Sequence, residues 1–460
     1  MRYSIVMAAG KGTRMKSLDV SKSKVAYTIL GVPLVQYVLD AVQPLSLDQT
    51  ITIVGFGGET TQHIVKNQSE VVWQREQKGT GHAIMQCAPL LEGKPGLTLI
   101  VSGDTPLLTS ETLQNLVKKH ENDQNDLTIL TAVVPNPKGY GRIVRSSDQG
   151  VQAIVEQADA SEAILNIREV NTGVYVFHNQ KLFEQLKHIT PSNKQGEYYL
   201  TDVIKLFATK KYKIAAEILS NYEEMLGIND RVQLAEAAKI LQLRINNKHM
   251  RQGVTFEAPE QTFIGPYVTI HPDTVLKPGT EILGQSIIGE ANIIGPSSHL
   301  ENVQIGKRNT IFQSKVMNAS LLDDNQVGPF AHIREHSEIH NHTRIGNFVE
   351  IKKCILHDGV KASHLTYLGD TEILENTNIG AGVITANYDG RVKHKTFIGK
   401  DVFVGSGVTI IAPVTIGDRV IVAAGSTVTD NIPSNGLGIA RSKQMNKPNY
   451  YDVWLKKIGK

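Results

Sequence analysis

Residues 264–300 read IGPYVTIHPDTVLKPGTEILGQSIIGEANIIGPSSHL, and Ile264, Ile270, Leu276, Ile282, Ile288, Ile294 and Leu300 stand six apart in it. Polar residues, Gly and Pro fill most of the gaps. A period of six is not helical, and it is longer than the alternation of an ordinary half-buried strand. It fits a parallel β-helix, in which each hexad supplies one short strand with its aliphatic side chain turned inward, followed by a corner. The beat returns at Val327, Ile333, Ile339, Ile345 and Ile351, and again at Ile398, Val404, Ile410, Ile416, Val422 and Val428. Several rungs precede Gly, as at Ile264-Gly265, Ile345-Gly346 and Ile416-Gly417, which suits a tight corner. The beat breaks between Ile351 and Ile373, where Lys352, Lys353, His364 and Tyr367 lie, and between Ile379 and Ile398, around Asn387, Tyr388, Arg391 and Lys393. Insertions in a solenoid become loops on one face, so both gaps are expected to mark a binding site on the outside of the prism.

The chain has 460 residues, too many for one ordinary core, so two domains are expected. A net charge of +3 predicts no nucleic-acid partner, and any phosphate recognition has to be local. Cys87 and Cys354 give no disulfide framework and suit a reducing compartment. The start, MRYSIVMAAGKG, has no cleavage-site pattern, and no apolar run approaches membrane-spanning length; a cytoplasmic protein without membrane insertion is expected.

Ahead of the hexads, strand-like runs at 4–7, 51–54 and 97–101 alternate with helix-like ones, one opened by Pro33 and one near 80–88. This order predicts an α/β domain with a mostly parallel sheet, whose ligands sit beyond the carboxyl ends of the strands. There the chain reads Ala8-Ala9-Gly10-Lys11-Gly12-Thr13-Arg14-Met15, a glycine-rich loop whose amides can close on a nucleotide while Arg14 lies along phosphates. A flexible glycine turn would read the same way. Gln74 to His82 offers amide and hydroxyl groups for a base edge, and Ser102-Gly103-Asp104 puts a carboxylate at a strand tip. Such an Asp can merely cap a turn, but Mg²⁺ beside phosphates typically needs only one or two protein oxygens. Residues 229–252 carry apolar side chains at helical spacing and stop at Gly253, which predicts a long connecting helix that Asn229 could cap.

These motifs, with Gly139-Tyr140-Gly141-Arg142, Asn171-Thr172-Gly173, Gly196-Glu197-Tyr198-Tyr199, His364-Leu365-Thr366-Tyr367-Leu368-Gly369-Asp370 and Asn387-Tyr388-Asp389-Gly390, carry a resemblance. The first domain resembles the nucleoside-diphosphate-sugar pyrophosphorylases. The whole chain is similar to the bacterial bifunctional N-acetylglucosamine-1-phosphate uridyltransferases/glucosamine-1-phosphate acetyltransferases. That resemblance implies a Rossmann-like nucleotidyltransferase domain at 1–228, a linker helix at 229–252, a left-handed β-helix acetyltransferase domain at 253–437 and a tail at 438–460. The left hand runs against the usual crossover rule and comes from the resemblance alone. A homotrimer, with the acetyl-transfer site between subunits, is implied in the same way.

For the uridyltransferase, the resemblance implies backbone contacts from Ala8, Ala9 and Gly10, uracil held by Gln74, Gly79 and Thr80, and phosphates held by Arg14 and Lys24. Gly141, Glu156 and Asn171 would hold the amino sugar, with Asp104 and Asn229 on Mg²⁺. For the acetyltransferase it implies His364 as general base, with acetyl-CoA as donor, an imidazole being suited to take the proton of an amine nucleophile. Arg334 and Lys352 would hold the sugar phosphate, and Tyr367 and Asn378 the sugar. Asn387 and Tyr388 belong with the sugar or with coenzyme A, and Ala381, Ser406, Ala424 and Arg441 line the coenzyme A site. The implied product is UDP-N-acetylglucosamine for cell-wall precursors.

Three departures from the family pattern stand out. Ser23 replaces the Pro usual before Lys24, which makes Lys22 a rival; Ser102 stands where Tyr is common; and Glu335-His336 follow Arg334 in place of Pro-Gly. The run His332, His336, His340 and His342 invites a zinc reading, but extended backbone would splay those rings. Two other functions remain open: a single-activity sugar-1-phosphate nucleotidyltransferase with a purely structural β-helix, and a non-catalytic scaffold.

Overall fold

Alternate residues of the strand Arg2–Ala8 feed two different cores, Tyr3 and Ile5 packing on one side of the sheet and Val6 and Ala8 on the other. Both faces are therefore covered, as a mainly parallel sheet requires. The computed structural model describes residues 1–19, 22–147 and 149–460, so Ser21 beside Lys22 lies outside the described residues. The chain divides into two units, Met1–Leu241 and Gln242–Lys460.

In the first unit the sheet runs, edge to edge, Ile214–Ile218, Leu127–Val133, Glu169–His178, Leu97–Ser102, Arg2–Ala8, Gln49–Val54 and Glu70–Trp73. All neighbours are parallel except Glu169–His178, which opposes both of its own. Helices Leu34–Val42 and Ser110–Asn122 contribute Val35, Val38, Leu113 and Leu116 to one core, while Ile84, Leu182, Val203 and Phe207 fill the other. Pro33 stands at the N-cap of Leu34–Val42, where its missing N–H costs nothing. The expected helix near 80–88 is two short ones, Thr80–Met85 and Ala88–Leu91, because the chain re-enters at Cys87 with Pro89 in the second.

A helix covers Arg231–Arg251. Within the second unit, Asn246 at its far end donates to the carbonyls of Pro259 and Thr262, tying the helix to the first coil.

The second unit is a three-sided prism of short parallel strands, in sheets of 11, 10 and 9 strands. Every rung aliphatic named above is at most 4% exposed, all in one continuous core. Each such burial stabilises the fold by about 1.5–3 kcal/mol. An internal ladder satisfies the corner amides: Asn292 Oδ1 accepts from the Asn309 amide at 2.8 Å, Asn309 from Asn325 at 2.9 Å and Asn325 from Thr343 at 2.8 Å. The first gap in the beat is not an insertion. Leu356, Ala362 and Leu368 occupy consecutive rungs there, all fully buried, with five-residue steps on either side of them and a small residue in the middle. Only the second gap holds a loop: Thr385 takes the rung, and the chain leaves through 387–395, where Tyr388 bridges Lys393.

Candidate functional sites

The segments that leave the strands Arg2–Ala8, Glu70–Trp73 and Leu97–Ser102 surround a cavity of about 400 Å³ in the first unit. Ala8, Ala9, Gly10 and Lys11 form one wall, Gln74, Gly79 and Thr80 another, and Ser102 and Asp104 lie on its third side. Gly79 adopts φ 106°, and a Cβ there would stand 2.5 Å from the Tyr198 carbonyl oxygen, so only Gly fits. The reason is a clamp between two loops. Tyr198 N–H donates to Lys78 O (2.8 Å), Gly81 N–H to Tyr198 O (2.8 Å) and Leu200 N–H to Thr80 Oγ1 (3.0 Å). Gln74, almost fully buried, donates through Nε2 to the Gly79 carbonyl at 3.1 Å, which fixes the amide against this loop.

At one end of the cavity the charges converge. Lys24 Nζ pairs with Asp104 Oδ2 and lies 3.1 Å from Asn229 Oδ1, and Arg14 Nη2 donates to the same Asn229 oxygen at 2.9 Å. Lys22, the rival, sits instead over the ring of Tyr27 at 4.4 Å. The three residues expected at the sugar form a separate group. Asn171 N–H donates to Gly141 O at 2.9 Å, and a Cβ on Gly141 would lie 3.2 Å from Glu156 Oε2. Glu156 accepts from Thr201 Oγ1 at 3.2 Å, lines a neighbouring cavity of about 550 Å³, and has its pKa raised by burial. Gln77 and Glu197 also line the first cavity; the sequence marks their stretches as motifs but gives neither residue a role.

In the second unit, backbone bonds stack Asn347, His364, Ala381, Ser406 and Ala424 in one column, one residue per coil. Leu365 N–H donates to Asn347 O (3.0 Å), Gly382 to His364 O (3.4 Å), Gly407 to Ala381 O (2.8 Å) and Gly425 to Ser406 O (2.9 Å). The residues that follow the column, Leu365, Gly382, Gly407 and Gly425, all have positive φ, so this is a corner. His364 Nδ1 lies 2.7 Å from Asn347 Oδ1. With Oδ1 as acceptor, Nδ1 carries the hydrogen and Nε2 keeps its lone pair. Below the imidazole the small Ala381, Ser406 and Ala424 leave the corner flat, and Arg441 Cδ passes 3.8 Å from the place of a Cβ on Gly425.

Tyr367 and Asn387 meet over Gly369, where a Cβ would lie 2.7 Å from both the Tyr367 hydroxyl and Asn387 Nδ2. Asn387 also donates to Asp370. On the same face, Arg334 Nη1 donates to Glu350 Oε1 at 2.7 Å and Lys352 Nζ lies 3.2 Å from Glu335 Oε1. Asn378 is set apart, beside Lys361 at the other end of the strand pair that His364 terminates. Exposed Tyr388 donates to Gly390 O at 2.8 Å in the 387–395 loop. Asp389 ties that loop together, and hydrogen bonds from His394 and from the Val392 and Arg391 amides lower its pKa to about 2. His340 packs on His357, with ring centroids 4.6 Å apart, and not on its companions in the histidine run. Among the described residues no group of three His, Cys, Asp or Glu side chains could hold a metal.

Residues 3–222 match the Nucleotidyl transferase family and residues 395–430 the Bacterial transferase hexapeptide family of six repeats. The curated "Bifunctional protein GlmU" of Geobacillus sp. (strain WCH70) is 50% identical over 451 residues, 98% of either chain. The chain belongs to the GlmU family. Relatives of the same name from Listeria welshimeri and Halalkalibacterium halodurans are 48% and 46% identical over 449 residues, again 98% of either chain. A solved structure of UDP-glucose pyrophosphorylase complexed with UDP-glucose is a remote likeness, 18% identical with TM-score 0.42, over 52% of this chain and 98% of that one. As in the GlmU family, a Rossmann-like nucleotidyltransferase domain precedes a left-handed parallel β-helix of hexapeptide repeats, and the protein is a bifunctional transferase. No helix among the described residues is long and apolar enough to cross a membrane.

Proposed function

We propose that the chain makes UDP-N-acetylglucosamine in two transfers. In the prism, the amine of glucosamine-1-phosphate attacks the thioester carbonyl of acetyl-CoA; the C–N bond forms, the C–S bond breaks, and the thiol of coenzyme A leaves. His364 Nε2 takes the amine proton, and Asn347 holds the ring in the tautomer that leaves that nitrogen basic. Arg334 and Lys352 bind the sugar phosphate, Tyr367, Asn387 and Tyr388 surround the sugar, and Asn378, set apart from them within one chain, would reach the sugar from a second subunit of the trimer proposed below. The flat corner of Ala381, Ser406 and Ala424, with Arg441 beside it, takes coenzyme A.

In the N-terminal domain, a phosphate oxygen of N-acetylglucosamine-1-phosphate attacks the α-phosphorus of UTP and pyrophosphate departs. Gln74, Gly79 and Thr80 hold the uracil, the amides of Ala8, Ala9 and Gly10 face the phosphates, and Gly141, Glu156 and Asn171 hold the amino sugar. Arg14 and Lys24 neutralise charge that grows on the phosphates, so no nucleophilic side chain is needed. Mg²⁺ fits Asp104 and Asn229: both offer hard oxygens, and the Lys24 ammonium already lies between them as a cation would. When bound, the ion would neutralise phosphate charge beside these residues.

What supports this reading is that each unit gathers its own group of the side chains it needs, Arg14, Lys24, Asp104 and Asn229 in one and the His364 column in the other. The domains that go with it are 1–228, 229–252, 253–437 and 438–460. A cytoplasmic homotrimer accompanies the reading. Its support is the apolar surface left open in the second unit, the stacked Phe330 and Phe348 with Leu365 nearby, and the helix Tyr450–Lys457 with no buried residue. Sedimentation equilibrium tests the trimer, and a monomer would overturn it. The reaction itself is tested by following thiol release from acetyl-CoA and pyrophosphate release from UTP. His364→Ala should abolish only the first and Asp104→Ala only the second; a wild-type chain inactive in either assay sinks that half of the proposal.

A further inference from the structure

The two cations assigned to the sugar phosphate are already engaged by carboxylates. Glu335 Oε1 lies 3.2 Å from Lys352 Nζ, and Glu335 Oε2 lies 3.6 Å from Arg334 Nε. The second carboxylate, Glu350, takes Arg334 Nη1 at 2.7 Å. These two cations and two carboxylates balance one another, with Lys315 and His332 next along the same sheet. Glu350 sits on a strand, paired in register with Tyr367, whereas Glu335 stands at a corner just before His336 at φ 57°. The Glu335 side chain touches both cations at once, as one phosphate would, and is one-third exposed. Its own backbone amide is the strongest influence holding its carboxyl below the usual range; burial opposes this, and Lys352 and Arg334 add to the lowering, so it is an anion at neutral pH.

We propose that Glu335 is an internal anion bridging Arg334 and Lys352, which the phosphate of the sugar substrate must displace, so that it sets the affinity of the acetyl-transfer site. This rests on the reading of Arg334 and Lys352 as the phosphate holders. An incoming phosphate dianion finds both Arg334 and Lys352 already paired until Glu335 swings out, and the corner gives it solvent to swing into. Exposed ion pairs are individually weak, so the displacement tunes binding and does not block it.

The test is Glu335→Gln in the full-length enzyme, which keeps the shape of the side chain but removes the charge and one of the two acceptor oxygens that face the cations. Two constants are read: KM for glucosamine-1-phosphate and the inhibition constant of inorganic phosphate against it, with KM for acetyl-CoA as internal control. Both should fall roughly three- to tenfold, the scale of one or two surface ion pairs. Phosphate inhibition is the discriminating readout, since a merely structural role for Glu335 would not tighten it. Either constant unchanged or raised overturns the proposal. Arg334→Ala and Lys352→Ala separate the two levels. If they leave both constants unmoved, the phosphate reading itself fails; if they raise them while Glu335→Gln has no effect, only the role of Glu335 fails.

Discussion

His364 and Asn347 are 17 residues apart in the chain and 2.7 Å apart in space, Nδ1 to Oδ1, because one coil of the prism separates them. The amide orients the imidazole without adding charge to it. Asn347→Ala should therefore lower kcat of acetyl transfer by roughly tenfold, a part of the 10²–10⁴ that general-base catalysis typically contributes and that His364→Ala should lose. Steady-state rates of both half-reactions check this. An equal loss in pyrophosphate release would mean that the substitution damages the whole chain.

The clamp between the loops around Gly79 and Tyr198 leaves no room for a side chain. Gly79→Ala puts a carbon 2.5 Å from a carbonyl oxygen at φ 106°, so the loop has to shift away from Gln74. The KM for UTP should rise well over tenfold while thiol release from acetyl-CoA stays at the wild-type rate. Parallel assays of the two transfers decide it.

His120 predicts how the first unit responds to acid. It is 5% exposed, its Nδ1 lies 3.0 Å from Thr128 Oγ1, and burial lowers its pKa to about 4. Between pH 6.5 and that value the unfolded chain holds a proton that the folded chain refuses. Stability is therefore complete above pH 6.5 and declines as pH falls through this window, by roughly 3 kcal/mol at most. Denaturant titrations of wild type and His120→Gln at several pH values should show a shallower decline in the variant.

Ile333 tests the prism. It is fully buried in the continuous core, so Ile333→Ala should cost about 2–5 kcal/mol through lost contacts and a residual cavity. Thermal unfolding followed by circular dichroism should show a lower midpoint, with pyrophosphate release retained below it.

The prism was legible because burial repeats every six residues, and each branched aliphatic that marks the beat, from Ile264 to Val428, is a core residue. It became illegible where a step changed length or a rung changed chemistry. Steps of five before Leu356 and after Leu368, with Ala362 between them, make an unbroken run of strands read as an insertion, and Thr385 hides the rung that precedes the one real loop. In the first unit, loops beyond strand ends could be read from the order of elements, and Ala8, Gln74, Thr80 and Asp104 do meet at one cavity. Glu197 could not be placed there, because the clamp that brings it in joins segments more than a hundred residues apart. Asn347 was hidden for a simpler reason: its partner lies one coil away, and only the length of a coil, not the hexad, brings the two together.

The column through Asn347, His364, Ala381, Ser406 and Ala424 makes the outside of the prism a ruler. Each graduation is one coil, about 4.8 Å from the next, set by strand spacing whatever side chain it bears. Chemistry can thus be moved along it by exchanging side chains while the interior stays as it was. With His364 as the proposed base and Ala424 on the proposed coenzyme A site, excising a single coil between them would shorten the reach from one to the other by one graduation, and a donor shorter by that length is the one such an enzyme should prefer.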